Sequence, residues 1–343
     1  MYNVAILGAT GVVGQEMLKT LIARKFPVKE LKLLASSRSA GTSVTFDGKT
    51  YPIEEATPEA FAGIDIVLAS AGASVSEKLA PHAVAAGAIV IDNTSFFRMH
   101  PDVPLVVPEV NAHHLDQHKG IIANPNCSTA PLVMVLNELR KLAPLRRVVV
   151  STYQSVSGAG KEAMEELREQ TRAALNGETH KPEHIVHPIA FNLVPAIDSF
   201  LDNGYTKEEM KVTNESRKIL DEPDLAVTAT AVRVPVYICH SEAVNIEFDR
   251  PVSVADARAQ LANAEGIELM DDPANNVYPR PMECAGSDPT YVGRLRGDVS
   301  HPNGLNLWLV SDNLRKGAAL NAIQIAEALV ARGLLKARQE VAL

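Results

Sequence analysis

The stretch "VAILGATGVVG" at residues 4–14 decides the fold of the first part of this chain. A short apolar run ends in three glycines, Gly8, Gly11 and Gly14, and the helical pattern "GQEMLKTLIARK" begins at the last of them. Glycines between a strand and a helix let the backbone approach a pyrophosphate, and the helix N-terminus offers free N–H groups. The stretch therefore predicts a βαβ unit with a dinucleotide site. Its G-x-x-G-x-x-G spacing is not the commonest one, so a plain tight connection stays open as the alternative.

Further apolar runs continue this pattern through residue 126. They are nearly all apolar rather than alternating, which is typical of parallel strands that are covered on both faces. The predicted strands lie at 4–8, 31–36, 64–70, 88–93, 104–110 and 120–126, with a helix over 14–25. We therefore predict a Rossmann-like α/β domain.

The pattern changes after residue 127. Alternating, β-branched runs predict antiparallel strands with one face exposed or at an interface. These runs lie at 225–236, 242–248, 291–296 and 304–312, and helices are predicted over 128–142, 161–177 and 314–335. The fold class is therefore an α/β nucleotide-binding domain followed by an α+β domain with a mainly antiparallel sheet.

Composition narrows the functional classes. The chain has 343 residues, of which 46% are hydrophobic and 22% are charged, and its net charge is −8. This charge disfavours nucleic acid as a partner but permits an anionic small molecule, because local basic residues can override the global sign. No apolar run has the length of a membrane helix, and the N-terminus is interpreted as a strand rather than a signal peptide. Three widely spaced cysteines predict neither a disulfide framework nor a metal site, and favour the reducing cytoplasm.

The end of the second predicted strand discriminates between cofactors. NAD-binding proteins usually carry an acidic residue there, which binds the ribose 2′-hydroxyl. This chain has "LLASSRSAG" instead, with Ser36, Ser37, Arg38 and Ser39 and no acid. The arginine and the hydroxyl groups suit a 2′-phosphate, so we predict NADP over NAD. A solvated loop arginine is the alternative.

Cys127 in "ANPNCST" stands between a predicted strand and a predicted helix. A helix N-terminus stabilises a thiolate and lowers the pKa of a cysteine from its free value of about 8.5, and its N–H groups can hold an oxyanion. This context favours a nucleophile over a small buried hydrophobe, whereas Cys239 and Cys284 lack it. His240 is the most suggestive acid/base partner, but the residues alone do not choose it over His113, His114 or His187.

Seven motifs now identify a resemblance that spans nearly the whole chain. In order they are "GATGVVG", "SSRSAG", "SFFRM", "NPNCST", "YQSVSGAG", "NESRK" and "RVPVYICHSE". The sequence resembles the aspartate-semialdehyde dehydrogenases in their bacterial form. The related N-acetyl-glutamyl-phosphate reductases typically have "PGCY" around the cysteine, whereas this chain has Asn126 and Ser128. A catalytically idle relative is a further alternative, but the cysteine, the histidine and the arginines are all present.

The resemblance implies an activity and a quaternary structure. The family reduces β-aspartyl phosphate to aspartate semialdehyde with NADPH, releases phosphate, uses a cysteine thioester and requires no metal. This reaction belongs to the biosynthesis of lysine (through diaminopimelate), threonine and methionine. The resemblance also implies a homodimer formed by the sheet of the central domain, with a tetramer as a further option. The implied domains are 1–127 with 314–343 for the cofactor and 128–313 for catalysis and dimerisation.

The resemblance also assigns roles to individual residues. Cys127 is the implied nucleophile, His240 the acid/base residue and Gln154 the residue that orients the acyl intermediate. The implied substrate ligands are Arg233 for the α-carboxylate, Arg98, Lys218 and Asn93 for the phosphate, and Glu215 beside Lys218. The implied cofactor contacts are Gly8, Thr10, Gly11, Val12 and Val13 at the pyrophosphate, Ser36, Ser37, Arg38 and Ser39 at the 2′-phosphate, and Ser157, Gly158, Ala159 and Asn313 near the nicotinamide.

Overall fold

The computed structural model describes residues 1–46 and 48–335, which divide into two compact units. The first unit comprises Met1–Pro125 and the chain from Ala318 onward, and the second comprises Asn126–Gly317. The sequence predicts these boundaries at residues 127/128 and 313/314. Asp47 and the last part of the predicted segment 314–343, from residue 336, lie outside the described residues.

The elements of both units follow one another in chain order. The strands are β1 (Tyr2–Leu7), β2 (Val28–Ala35), β3 (Ser43–Phe46), β4 (Lys49–Glu55), β5 (Ile66–Ala69), β6 (Ile89–Asp92), β7 (Ile121–Ala123), β8 (Leu145–Gln154), β9 (Ala226–Arg233), β10 (His240–Phe248), β11 (Ile267–Leu269), β12 (Thr290–Gly297) and β13 (Gly304–Ser311). The α-helices are α1 (Val12–Ala23), α2 (Ala73–Ala85), α3 (Pro108–Asn111), α4 (Thr129–Leu139), α5 (Lys161–Leu175), α6 (Lys207–Leu220), α7 (Val254–Ala262), α8 (Pro281–Cys284) and α9 (Leu320–Ala331). Short 3-10 helices lie at Pro58–Phe61, Ala112–Gln117, Val156–Ala159 and Pro273–Asn275, and a π-helical turn lies at Arg315–Ala319. None of the helices in residues 1–46 and 48–335 has both the length and the apolarity that a membrane span requires.

The first unit is built on a seven-stranded sheet with the order β3-β4-β2-β1-β5-β6-β7. All its pairs are parallel except β3 with β4. The central strands β1 and β5 are almost wholly buried, as the continuous apolar runs predict. Helices α1 and α9 share a hydrophobic core with them, and Arg24, directly after α1, donates two hydrogen bonds to Glu327 of α9 at 2.8 and 2.7 Å. The predicted Rossmann-like domain is confirmed.

One predicted strand in this unit is wrong. Residues 104–110 do not form a strand: Leu105 makes a single bridge to Ala123, and α3 begins at Pro108. The apolar run reflects burial, since Leu105, Val106 and Val107 are all fully buried. Proline fixes its own φ near the helical value and is well tolerated in a first turn, so the run continues as a helix.

The second unit contains a six-stranded sheet with the order β11-β12-β13-β10-β8-β9. Strand β10 pairs antiparallel with β8 and β13, and β12 pairs antiparallel with β13. The prediction that residues 225–236 form an antiparallel strand is wrong, because β9 runs parallel to β8. The long connection from β8 to β9 contains α5 and α6, and such a crossover brings the chain back in the same direction.

Helices α4 and α6 give this unit its core beside the sheet. Nearly every residue of α4 is buried. Helix α6 begins with a capping box, in which the Thr206 hydroxyl accepts from the Glu209 N–H and the Glu209 carboxylate accepts from the Thr206 N–H. Its buried face includes three acidic residues, Glu208, Glu209 and Glu215, together with apolar and hydroxyl side chains. Buried acids of this kind need partners, and those partners define the site below.

Candidate active site

In the first unit the glycine turn has the geometry of a nucleotide loop. Gly8 has a φ of +90°, and a Cβ atom added there would lie 2.6 Å from the Ser70 carbonyl oxygen. A Cβ at Gly14 would lie 2.2 Å from the Gly8 oxygen. Gly11 precedes α1 as its N-cap without a side-chain hydrogen bond, so the first N–H groups of α1 are available to an anion. Thr10 and Gly11 are exposed, and Val12 and Val13 are partly exposed.

The predicted 2′-phosphate residues form a turn directly after β2. Ser36, Ser37 and Arg38 are exposed, and the Ser36 carbonyl accepts from the N–H of Ser39 at 2.9 Å. Because β1 and β2 are parallel neighbours, this turn and the glycine turn lie at the same edge of the sheet. Both therefore fit one dinucleotide at the carboxyl ends of the strands.

Asn93 and Arg98 also lie at the carboxyl ends of strands in the first unit. Arg98 is nearly buried, and its guanidinium donates to the carbonyl oxygens of Asn124 and Asn93 at 2.9 Å each. The side chain of Asn93 accepts from the amide of Asn124. The resemblance predicts phosphate ligands here, and the structure fixes Arg98 in one orientation.

In the second unit Cys127 lies in a turn that leads into α4. Its neighbours are held on both sides: the Asn126 N–H donates to Glu215 Oε2 at 2.6 Å, and the Asn126 side chain accepts from the Ser128 N–H at 2.9 Å. Ser128 is the N-cap of α4, so the predicted position of Cys127 at a helix N-terminus is confirmed. The cysteine itself is partly exposed, unlike the buried Cys239 and Cys284.

Gly317 lies against the backbone of Cys127. A Cβ atom added at Gly317 would be 2.8 Å from Cys127 Cβ and 3.0 Å from both Cys127 Cα and its carbonyl oxygen. No side chain fits there without moving the cysteine. Gly317 was not among the predicted site residues, because nothing in "LRKGAAL" indicates which distant backbone it contacts.

The imidazole of His240 is buried at the start of β10 and fixed by Ser155. Nδ1 accepts from the Ser155 N–H at 3.1 Å and lies 3.2 Å from Ser155 Oγ. A neutral ring that accepts at Nδ1 carries its hydrogen on Nε2. Burial and then the charge of Arg233 lower the pKa of His240 to about 3, while Glu208 and a backbone hydrogen bond act in the opposite direction. The ring is therefore neutral in this state, and Nε2 has no hydrogen-bond partner among the described residues.

Arg233 links the cysteine to the histidine. Its guanidinium donates to the Ser155 carbonyl oxygen at 2.7 Å. Burial lowers the pKa of Arg233, and the electrostatic interactions of Arg233 with Cys127 and Glu208 act to raise it. A Cβ atom added at Gly158 would lie 3.2 Å from both Arg233 Nη1 and His240 Nε2, so these two groups meet at one glycine. The side chains of Cys127, Arg233 and His240 thus belong to one cluster.

Gln154, at the end of β8, belongs to the same cluster through Glu208. Its amide nitrogen donates to Glu208 Oε1 at 3.2 Å and to Thr152 Oγ1 at 3.3 Å. The same carboxylate oxygen accepts from the Asn126 side chain at 2.7 Å. Glu208 was not among the predicted site residues, because a glutamate in a helical pattern gives no sign that it is buried.

Lys218 and Glu215 lie on α6, as their spacing predicts. Lys218 is half-buried; burial lowers its pKa, and the charge of Glu215 acts to raise it. Glu215 is almost completely buried and accepts from the backbone of Asn126. It therefore has a structural contact beside the cysteine that the sequence did not indicate.

The predicted nicotinamide-end residues include one hydrogen-bonded cluster. The Asn313 side-chain oxygen accepts from Ser155 Oγ at 3.1 Å, from Ser157 Oγ at 3.2 Å and from the Cys239 N–H at 2.9 Å. Ser157 and Asn313 are buried, whereas Gly158 is exposed and Ala159 is also accessible. Gly158 offers space beside the histidine and the arginine, and Asn313 supports Ser155 behind the histidine.

The comparisons with known proteins agree with both units. Residues 3–118 match the family model "Semialdehyde dehydrogenase, NAD binding domain", and residues 136–316 match "Semialdehyde dehydrogenase, dimerisation domain". The first match supports the use of NAD or NADP, and the second supports oligomerisation.

Curated relatives and solved structures are similar over the full length. Aspartate-semialdehyde dehydrogenase of Bacillus subtilis (strain 168) is 55% identical over 95% of this chain and 97% of its own, and that of Synechocystis is 52% identical over 97% and 98%. The crystal structure of aspartate semialdehyde dehydrogenase II from Vibrio cholerae, complexed with ASA, has a TM-score of 0.94 at 47% identity, covering 96% of this chain and 98% of that one. The aspartate semialdehyde dehydrogenase of Candida albicans, crystallised with NADP, has a TM-score of 0.76 at 28% identity, covering 97% and 99%.

Proposed function

This chain belongs to the aspartate-semialdehyde dehydrogenase family, an oxidoreductase family of amino-acid biosynthesis, and we propose that Cys127 is the nucleophile with which it reduces aspartyl phosphate to aspartate semialdehyde. His240, Gln154 and Arg233 assist the cysteine, and NADPH is the hydride donor. One observation carries this proposal. The partly exposed thiol of Cys127, the buried guanidinium of Arg233 and the buried imidazole of His240 form one cluster in the second unit.

The chemistry requires the sulfur of Cys127 to bond to the acyl carbon. The thiolate attacks that carbon, the bond between carbon and the phosphate oxygen breaks, and phosphate leaves with the electron pair. A thioester is left on Cys127, and this covalent capture divides one difficult step into two. The nicotinamide cofactor, when bound, supplies hydride to this thioester. The resulting tetrahedral adduct collapses to the aldehyde and returns the electron pair to sulfur.

His240 contributes from Nε2. The hydrogen bond from the Ser155 N–H to Nδ1 favours the tautomer with hydrogen on Nε2, which faces the position of Gly158. This N–H can donate to the substrate oxygen as negative charge develops there. A second proton can enter only at Nδ1, which then no longer accepts from the Ser155 N–H; Ser155 Oγ at 3.2 Å becomes the acceptor there, because its own hydrogen is directed to Asn313. The same ring can therefore act as hydrogen-bond donor and as acid/base residue.

The substrate charges are matched by buried or half-buried groups. We assign Arg233 to the α-carboxylate, since a planar guanidinium can make two parallel hydrogen bonds to it. Lys218, Arg98 and Asn93 are assigned to the phosphate, with Glu215 beside Lys218. In support, Lys218 is only half-buried and Arg98 is held rigidly by two backbone carbonyls.

The cofactor assignment is NADP rather than NAD. Its support is the exposed turn of Ser36, Ser37, Arg38 and Ser39 at the carboxyl end of β2, which contains no acidic residue. The relative from Candida albicans with NADP is consistent with it. We assign the pyrophosphate to the glycine turn with Gly8, Thr10, Gly11, Val12 and Val13, and the nicotinamide to Ser157, Gly158, Ala159 and Asn313.

We also propose a homodimer in the cytoplasm. The dimerisation-domain match supports the association of two copies, and a pair of dimers is the alternative that the sequence left open. The three cysteines are free thiols in the structure, which fits a reducing compartment and a nucleophile that must remain reduced.

A trapping experiment tests the nucleophile. The enzyme is mixed with aspartate semialdehyde and NADP in the absence of phosphate, so that the thioester forms but its acyl group has no phosphate acceptor. Peptide mass spectrometry should find the acyl adduct on Cys127, and Cys127→Ala should lose at least about 10⁴-fold in turnover while it still binds NADP. Turnover in the Cys127→Ala variant, or an adduct on Cys239 or Cys284, would end the assignment. N-acetylglutamate semialdehyde as a parallel substrate separates this activity from that of the related reductases.

A further inference from the structure

Glu208 has a buried carboxylate that contacts two residues of the reaction centre. Oε1 accepts from Asn126 Nδ2 at 2.7 Å and from Gln154 Nε2 at 3.2 Å, and Oε2 accepts from Lys211 Nζ at 3.1 Å. The residue is 6% exposed. An ionised carboxylate only accepts hydrogen bonds, so the amide nitrogens of Asn126 and Gln154 must face it. Glu208 thereby determines the orientation of both amides.

The orientation of Gln154 has a chemical consequence. One hydrogen of its amide nitrogen goes to Glu208 and the other to Thr152 Oγ1. Both donors are therefore used, and the carbonyl oxygen Oε1 is the polar atom of this side chain left for the substrate. An oxygen can accept from an ammonium group but cannot stabilise an oxyanion. That second task then falls to the N–H of His240.

The orientation of Asn126 affects the cysteine. Its side-chain oxygen accepts from the Ser128 N–H, so the side chain spans Cys127 from one side to the other. With its amide nitrogen on Glu208 and its backbone N–H on Glu215, Asn126 is held at three points. A rigid turn of this kind restricts where the sulfur of Cys127 can lie.

We infer that Glu208 is a positioning residue, which holds Gln154 and the turn of Cys127 in their reactive arrangement through one shared carboxylate oxygen. The inference rests on the proposed function, because that proposal assigns the roles of Cys127 and Gln154. In this assignment Glu208 acts through Gln154 and Asn126 and does not itself contact substrate or cofactor. Its effect should therefore appear in the rate of the chemical steps rather than in substrate affinity.

The charged groups around Glu208 keep it ionised. Burial acts to raise the pKa of Glu208, but the charge of Lys211 and the hydrogen bonds from Asn126, Lys211 and Gln154 together hold it below its usual value. Lys211 is also paired with Asp198 at 3.0 Å. Arg233 and His240 both experience the negative charge of Glu208. The carboxylate is thus the acceptor that the two amides require at neutral pH.

The test compares Glu208→Gln with Glu165→Gln. The same chemical change at Glu165, an exposed residue of α5 paired with Arg168, is the control. A glutamine at position 208 brings its own N–H donors toward two amides and an ammonium group, so the arrangement must change. We expect kcat to fall by about 10- to 100-fold with KM nearly unchanged, because small misplacements of reacting groups lower rates by such factors. Glu208→Asp keeps the charge and should recover part of kcat.

A double-mutant cycle shows whether Glu208 acts through Gln154. If it does, Glu208→Gln combined with Gln154→Ala should lose less than the product of the two single losses. Losses that multiply, or a Glu208→Gln enzyme with unchanged kcat, would overturn the inference. Should Glu208→Gln fail to fold, the cycle is carried out with Glu208→Asp. An inactive Cys127→Ala enzyme beside a fully active Glu208→Gln enzyme would reject this inference and leave the proposed function intact.

Discussion

The glycine turn before α1 and the cysteine turn before α4 both lead into a helix, but they obtain their shapes in different ways. Residues 8–14 are shaped by what they lack: Gly8 adopts a positive φ, and Gly14 permits close backbone contact within the same turn. The shape of residues 126–128 depends instead on hydrogen bonds to distant side chains. Asn126 is held by Glu208 and Glu215, which are 82 and 89 residues away along the chain.

The difference has a functional meaning. A pyrophosphate is bound by backbone N–H groups, and a short segment with the right glycines supplies them, with one distant contact where the Ser70 carbonyl lies against Gly8. A nucleophile must be aligned with a histidine, an arginine and an amide, and these groups come from separate strands. The cofactor loop is therefore encoded mainly by its own glycines, whereas the cysteine turn depends on buried side-chain contacts between distant residues.

Two alanine substitutions test this contrast directly. Gly317→Ala places a carbon 2.8 Å from Cys127 Cβ, so the cysteine must move, and we expect kcat to fall by about 100-fold while nucleotide binding is kept. Gly14→Ala places a carbon 2.2 Å from the Gly8 oxygen within the loop itself, so nucleotide binding should be lost. Steady-state kinetics and fluorescence titration with NADPH separate the two effects.

The control is Gly297→Ala, where the added carbon meets nothing within 4 Å. It should leave both kcat and nucleotide binding unchanged. A Gly317→Ala enzyme with normal kcat would mean that the position of the cysteine does not depend on this distant glycine.

The same contrast explains which parts of the fold and site were predictable. The strands of the first sheet were predictable from continuous apolar runs, because a strand that is buried on both faces consists almost entirely of apolar residues. The run at 104–110 has the same composition but is a buried segment that becomes a helix, and periodicity alone does not distinguish the two. The direction of β9 was also predicted wrongly, because alternation reports one exposed face and not the direction of the neighbouring strand.

The site shows the same limit. A turn between a predicted strand and a predicted helix identified Cys127, and family resemblance added His240, Gln154 and Arg233. Glu208 and Gly317 gave no signal, because their importance lies in which distant atoms they contact. Helix α5 shows it too, because the apolar Leu175 is 75% exposed, while the polar Gln170 is buried and its side-chain oxygen accepts from the N–H groups of Ile189 and Ala190.

Arg38 offers a test of the locally encoded region. If the turn after β2 binds a 2′-phosphate, Arg38→Ala should weaken NADP binding by about tenfold, since a hydrogen bond to a charged group contributes about 1.5 kcal/mol or more. NAD has no such phosphate, and its binding should not change. Calorimetric titration with both nucleotides measures the difference.

Arg172→Ala, on the exposed surface of α5, is the matched control for the loss of one positive charge. It should affect neither nucleotide. Equal losses for NADP and NAD in the Arg38→Ala protein would show that Arg38 does not recognise the 2′-phosphate.

Glu242 provides a comparison with Glu208, because it is a buried acid of the same unit that lacks hydrogen-bond partners among the described residues. It lies two residues after His240 on β10 and is completely buried, but neither of its carboxylate oxygens has a hydrogen-bond partner among the described residues. Burial raises the pKa of Glu242 well above its ordinary value, whereas the partnered Glu208 stays ionised. Glu242 is therefore neutral in the folded protein at neutral pH, and a neutral amide of the same shape can replace it.

Glu242→Gln should consequently leave kcat and KM nearly unchanged and alter the pH dependence of stability. The unfolded chain releases the proton of Glu242 near pH 4.3, while the folded protein retains it to a higher pH. The stability associated with this group is therefore complete below that pH and is lost as the pH rises toward the folded-state value. Urea unfolding at pH 5, 7 and 9 should show that the free energy of unfolding of the Glu242→Gln protein increases with pH relative to that of the unaltered protein. Parallel stability curves would mean that Glu242 is ionised in the folded protein and has a partner after all.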